Sequence, residues 1–196
     1  MYMTEECFFN YCAPRKYKDI TLEDCDKQSV EYIDFAKKWA SNPCSIILVG
    51  DVGRGKTQFA FAMLREMFRV HDRFRPNKPH WQRSNAPWPM YITTVELDSK
   101  LLKASKSEFG DGIELERYST QELLFIDDIG RETKSDRLKR QYFEILNYRY
   151  VNLLPTMLST NFNLDEIDEI LSNAVASRLQ EYEMLEFTGP DLRSRI

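Results

Sequence analysis

The chain has 196 residues, 42% of them apolar and 13% aromatic, enough to close the core of one α/β domain with little left for a second. A formal net charge of −4 argues against a protein that coats nucleic acid through its overall field, so any such contact must be local. Cys7, Cys12, Cys25 and Cys44 lack C-x-x-C spacing and stand far from His71 and His80, which argues against structural zinc and for free thiols; with no leader-like opening and no run of membrane-spanning length, a cytoplasmic protein without a membrane partner is expected.

The opening is aromatic, with Tyr2, Phe8, Phe9 and Tyr11, a set that either packs on the chain's own core or meets a partner. Asp26 to Ala40 then carries Val30, Ile33, Ala36, Trp39 and Ala40 at helical spacing and stops at Ser41-Asn42-Pro43. Ser45-Ile46-Ile47-Leu48-Val49 reads as a buried strand. It feeds Gly50-Asp51-Val52-Gly53-Arg54-Gly55-Lys56-Thr57, a complete G-x-x-x-x-G-K-T loop, and Thr57 to about Val70 follows as a helix with Ala60, Met63, Leu64, Met67 and Phe68 on one stripe.

Such a loop needs its glycines so that backbone N–H groups can converge on phosphate oxygens, while the following helix adds the positive end of its dipole. Lys56 then offers a point charge to the β- and γ-phosphates, Thr57 a hydroxyl for Mg²⁺, and Gln58 completes the run of cofactor-contacting positions that begins at Gly50. ATP or ADP with Mg²⁺ is the expected ligand.

Residues 70–89 are polar, basic and proline-broken, with Trp81 and Trp88 among arginines, and are read as a flexible insertion. Met90 to Thr93 is a strand and Glu96 to Phe109 a helix, with Thr93 and Glu96 spaced as a capping box. Leu123-Leu124-Phe125-Ile126 delivers Asp127 and Asp128 to a strand end. That is a Walker B pattern in which Asp127 holds Mg²⁺ and Asp128 orients or deprotonates the attacking water. A helix with Leu138, Tyr142, Ile145 and Leu146 follows, and then the strand Thr156 to Thr160, which presents Asn161 at a sensor-like position. Leu164 to Leu171 and Asn173 to Glu181 read as helices and Met184 to Phe187 as a last strand. Continuous apolar strands alternating with helices imply a parallel sheet covered on both faces.

Pro14-Arg15-Lys16-Tyr17, Thr21-Leu22-Glu23, Leu123 to Gly130, Ser159-Thr160-Asn161, Ser177-Arg178-Leu179 and Asp191 to Ile196 together resemble the DnaC-type replicative helicase loaders and the related IstB-type transposition ATPases. The resemblance spans nearly the whole sequence. It implies a P-loop AAA+ core with a five-stranded parallel sheet sandwiched by helices and no separate C-terminal lid domain: residues 1–13 would be an N-terminal segment and 14–196 a single ATPase domain. It further implies that Asn161 is sensor 1, that Arg178 is an arginine finger completing a neighbouring copy's site, and that Arg193 is sensor 2. Turnover would then need a homo-oligomer and be weak in the monomer.

The same resemblance places single-stranded DNA against Lys103, Lys106, Phe109, Ser135, Arg137 and Lys139, with Phe109 stacking on a base and the others meeting phosphates. The lysines at 100, 103 and 106 equally suit the solvated face of an amphipathic helix. A replicative helicase is the expected partner. The loaders carry a separate helicase-gripping N-terminal domain, whereas this sequence shows only Met1 to Ala13 ahead of the core, so two other expectations stand beside helicase loading: an IstB-like helper of transposition, and a non-catalytic regulator of a loader or helicase.

Overall fold

The computed structural model of the chain describes residues 4–25, 28–71, 87–106, 112–130, 135–188 and 191–192. They form two compact units, each assembled from two stretches: Met1–Pro43 with Gly55–Trp88, and Cys44–Arg54 with Pro89–Ile196.

The first unit is helical: α1 spans Glu5–Tyr11, α2 Val30–Ser41 and α3 Lys56–Val70. Helix α1 went unread in the sequence because two turns carrying Phe8 and Phe9 side by side show no periodicity; Thr4 starts it by accepting the Cys7 N–H at 3.1 Å. Phe8 and Phe9 are buried, their rings 5.4 and 6.1 Å from Phe68, and Tyr17 stacks on Phe61 at 5.2 Å. Phe8 and Phe9 of the apolar opening therefore pack on their own unit, while Tyr11 is exposed and Tyr2 lies outside the described residues. Arg65 on α3 holds this arrangement together: it donates to the carbonyls of Ile20 (2.7 Å) and Lys18, pairs with Glu5, and lies 3.9 Å over the Phe9 ring. Helix α2 begins at Val30, where Ser29 caps it by accepting the Tyr32 N–H at 3.3 Å; the expected start at Asp26 lies outside the described residues.

The second unit is a five-stranded parallel sheet flanked by helices. Its strands are β1 (Ile46–Val49), β2 (Pro89–Thr93), β3 (Leu123–Ile129), β4 (Thr156–Thr160) and β5 (Glu183–Glu186), in the order β2-β3-β4-β1-β5. Its helices are α4 (Thr94–Ala104), α5 (Gly112–Thr120), α6 (Asp136–Val151), α7 (Leu164–Ile170) and α8 (Asn173–Leu179). Ile47, Ile92, Leu124, Ile126 and Leu158 of the strands join Leu97, Leu101, Tyr142, Ile145, Leu146 and Val175 of the helices in one core. The alternate strand residues Ile46, Leu48, Phe125 and Met157 are equally buried, which is why these strands read as unbroken apolar runs.

The capping box on α4 is present: Thr93 Oγ1 accepts the Glu96 N–H at 3.2 Å and the Glu96 carboxylate accepts the Thr93 N–H at 3.3 Å. The helix closes at Ala104, short of the expected Phe109, and a separate helix α5 follows from Gly112. The expectations for Phe109, for the bulk of the 70–89 insertion and for Arg193 lie outside the described residues.

Behind the sheet's amino end, Arg149 of α6 is fully buried. Its guanidinium donates to Thr156 Oγ1 (2.8 Å) and to the carbonyls of Tyr118 (3.1 Å), Ser119 (3.3 Å), Gln121 (2.6 Å) and Pro155 (2.7 Å). One side chain thus ties the end of α5 and the start of β4 to α6. Burial pushes its pKa down to about 10, so it is still charged at neutral pH.

Candidate functional site

In a parallel sheet the carboxyl ends of the strands lie along one edge, where ligands of open α/β sheets bind. Val49 pairs with Thr160, and Thr160 with Ile129, so the ends of β1, β4 and β3 are neighbours at that edge. The loop after β1 and the acids of β3 are therefore brought to the same side of the sheet.

The loop depends on glycine. Gly50, Gly53 and Gly55 have φ values of 146°, 84° and 89°, a region that L side chains rarely enter. Gly50 donates its N–H to the Thr160 carbonyl at 3.3 Å, Phe187 donates to the Val49 carbonyl at 2.7 Å, and Leu192 donates to the Gly53 carbonyl at 2.9 Å. Backbone from β4 and from the stretch after β5 thus fixes the loop. A Cβ on Gly50 would lie 2.3 Å from the Phe187 carbonyl oxygen, which cannot yield. Gly50→Ala should accordingly cost about 1–3 kcal/mol of stability, read as a lower unfolding midpoint, and weaken any ligand that uses the loop amides.

Gly55 occupies the N-cap of α3 and brings no side-chain oxygen, so no side chain caps the helix start. Lys56 opens α3 and is buried. Within the loop, Arg54 pairs with Asp51 at 3.2 Å and Val52 is exposed; Gln58 on α3 donates to the Asp24 carbonyl at 3.1 Å.

Strand β3 does not run straight through its two acids. Ile126 pairs with Leu158 and Ile129 with Thr160, so Asp127 and Asp128 together face Ser159 alone: the strand bulges, and Asp128 sits at φ 64°. Ser159 is buried, accepts the Asp128 N–H at 2.8 Å and donates its hydroxyl to Asp127 Oδ1. Tyr91 donates its hydroxyl to Asp127 Oδ2 at 3.3 Å, and Thr94 Oγ1 donates to the Asp127 carbonyl at 3.0 Å. Asn161 Nδ2 reaches Asp128 Oδ1 at 3.5 Å, at the limit of a hydrogen bond. Sequence reading placed Asp127, Asp128 and Asn161 at this edge but missed Ser159, Tyr91 and Thr94. Their only signal was a hydroxyl on a strand, or just after one.

Among the described residues no three His, Cys, Asp or Glu side chains converge as a metal cage. A carboxylate pair in a hard-oxygen setting fits Mg²⁺, which is characteristically held by one or two carboxylates together with substrate phosphates and water.

The remaining expected residues are dispersed. Arg178 on α8 donates to Asn147 Oδ1 at 3.0 Å and to the Ala174 carbonyl, and lies over the rings of Phe143 and Tyr150 at 5.0 and 5.6 Å. Lys103 and Lys106 are exposed on and just after α4; Ser135 caps α6 by accepting the Leu138 N–H, Arg137 is exposed, and Lys139 donates to the Glu169 carbonyl at 2.8 Å. Among the described residues no helix is long and apolar enough to cross a membrane.

Known proteins match this architecture. The DnaC helicase loader superposes with a TM-score of 0.72 at 22% identity, covering 89% of this chain and 100% of that one. DnaI superposes at 0.70 and 22% identity, covering 92% and 94%. This chain has the fold of the DnaC helicase loader and of DnaI. A DnaA initiator bound to AMPPCP and single-stranded DNA shares the AAA+ fold at a TM-score of 0.69 and 18% identity, over 92% of this chain and 52% of that one. By sequence, the chain is 29% identical over 172 residues to YqaM of Bacillus subtilis (strain 168), covering 82% of this chain and 49% of the relative. It is 27% identical over 177 residues to XkdC of the phage-like element PBSX of the same strain, covering 86% and 59%. The chain thus spans about half the length of the curated relatives it matches. No family model matches it.

Proposed function

We propose that this chain is an ATP-binding and ATP-hydrolysing AAA+ factor of DNA replication that assembles with copies of itself on single-stranded DNA and acts on a hexameric helicase. The observation that carries the reading is a complete G-x-x-x-x-G-K-T loop, its glycines at positive φ, leaving the same sheet edge as an acid-bearing bulge. The fold it shares with a loader and with a nucleotide-bound initiator supports the same reading.

In this scheme the loop amides from Asp51 to Gly55 and the ammonium of Lys56 bind the phosphates, while Gly50, its N–H held by the Thr160 carbonyl, shapes the turn into the loop. Thr57 and Asp127 would hold Mg²⁺, which when bound supplies charge neutralisation at the β- and γ-oxygens. Asp128 takes a proton from, or orients, the attacking water, and Asn161, within reach of Asp128, fixes the geometry between them. Arg178 would serve a neighbouring copy, and Arg193 would contact the nucleotide from the chain's own end.

Asp128→Asn should lower turnover about 100-fold while leaving ATP affinity within about threefold, since a general base contributes to the chemical step and little to binding. Mixing tests the shared pocket: Arg178→Ala subunits, inactive alone, should regain turnover when combined with Asp128→Asn subunits, because one mixed interface is intact. Absence of recovery would remove the trans role of Arg178.

One observation favours a second reading, the non-catalytic regulator: Arg178 is engaged within its own unit by Asn147, Ala174 and two aromatic rings. A protein that binds ATP, co-purifies with a replicative helicase and shows no turnover with single-stranded DNA would be that regulator. Preference for duplex DNA together with a transposase partner would instead support the IstB-like helper.

A further inference from the structure

We propose that Ser159 is the positioning residue that sets the two acids of β3, acting on Asp127 through its hydroxyl hydrogen and on Asp128 through its oxygen. The inference rests on the reading of Asp127 as a magnesium-holding carboxylate and deepens it.

A regular strand sends consecutive side chains to opposite faces, so Asp127 and Asp128 in an unbroken β3 would not serve one edge. The bulge resolves this by placing two residues opposite one, with Asp128 in the left-handed region at φ 64°. Two consequences need an answer: a bulged N–H is displaced from its ladder partner, and a buried carboxylate must be oriented. Ser159 answers both. Its oxygen accepts the Asp128 N–H at 2.8 Å, and its hydrogen goes to Asp127 Oδ1. A hydroxyl is the smallest group that donates and accepts at once, and Ser159 is fully buried in β4 directly opposite the bulge.

Tyr91 donates to the other oxygen of Asp127 at the longer distance of 3.3 Å, from a half-buried position, so it is the weaker of the two supports. Threonine at 159 preserves both hydrogen bonds; alanine removes both; cysteine keeps the approximate volume with a poor donor and acceptor.

The test is equilibrium binding of a slowly hydrolysed ATP analogue at varied Mg²⁺, alongside steady-state turnover, for the full chain and its Ser159→Ala, Ser159→Thr and Ser159→Cys variants. Ser159→Ala should raise the Mg²⁺ concentration for half-maximal tightening about tenfold, the lower end of what losing the partner of a metal-holding carboxylate costs. Nucleotide affinity in EDTA should stay within about twofold, because the loop amides are untouched. Ser159→Thr should restore the Mg²⁺ response, and in an Asp127→Asn background Ser159→Ala should add nothing to it.

A purely structural serine would lower the unfolding midpoint without moving the Mg²⁺ response in the folded protein. Wild-type Mg²⁺ dependence in folded Ser159→Ala, or in Ser159→Cys should the alanine variant not fold, overturns the proposal. If the unmodified chain shows no Mg²⁺-dependent affinity for nucleotide, the reading of the site itself fails and takes this inference with it. A wild-type Mg²⁺ response that Ser159→Ala and Ser159→Cys leave unchanged fails the inference alone.

Discussion

Lys56→Ala should reduce ATP affinity on the order of 100-fold, because it removes charge-assisted contacts to the β- and γ-phosphates worth roughly 3 kcal/mol. The position leaves little room for substitution. Lys56 follows a left-handed glycine, opens α3 and is buried, so its ammonium is directed by the backbone rather than by a mobile surface stem. Lys56→Arg should not rescue binding, since a planar fork does not replace a compact point charge reaching from that place. Titration of a fluorescent nucleotide in the presence of Mg²⁺ measures the effect, and an unchanged unfolding midpoint without ligand shows that the loss is local. Affinity equal to the unmodified chain would remove the nucleotide site from consideration, and with it every role assigned to Asp127, Asp128 and Asn161.

The largest effect on stability is expected at Arg149. Alanine there takes the guanidinium donor from the Thr156 hydroxyl and from the carbonyls of Tyr118, Ser119, Gln121 and Pro155, of which Pro155 keeps the Leu124 N–H, and opens a cavity where a fully buried side chain stood. Together these should cost about 4 kcal/mol or more, a large share of the roughly 5–15 kcal/mol that holds a domain of this kind folded. Arg149→Lys keeps the charge but offers three donors from one point instead of a fork, so it should recover less than half of the loss. Urea unfolding followed by circular dichroism checks both variants. A midpoint within experimental scatter of the parent for Arg149→Ala would mean that these carbonyls find other donors.

The parts of this fold that were legible in the sequence are those written by one strong local rule. Strand β1 and its loop were legible because an apolar run meets a glycine pattern that only special backbone explains, and the acids of β3 because four apolar residues carry them to the end of a run. The α4 cap was visible as Thr93 and Glu96 at the right spacing. What escaped depends on partners distant in sequence. The β3 bulge cannot be seen in Asp127-Asp128 itself; it exists in the register against Ser159, thirty-one residues on from Asp128. Helix α1 is too short to show a period, and α5 was not read at all, the expected helix from Glu96 having ended at Phe109, ahead of Gly112.

Arg149 did leave a trace. It continues the stripe of Tyr142, Ile145 and Leu146 on α6, a sign of burial for a charged residue that the sequence reading did not take up. Arg178 illustrates the opposite difficulty. Its resemblance-based role looks outward to another copy, whereas its contacts are with Asn147, Ala174 and the rings of Phe143 and Tyr150 in its own unit.

The phosphate loop is pinned by main-chain bonds on both flanks, from Thr160 on one side and from Phe187 and Leu192 on the other. Its amides are therefore preorganised: the conformational entropy of shaping an anion cradle is lost once, during folding, and not again at each encounter with a ligand. A loop built in this way discriminates by fit rather than by adapting, which is what the proposed recognition of a triphosphate would require.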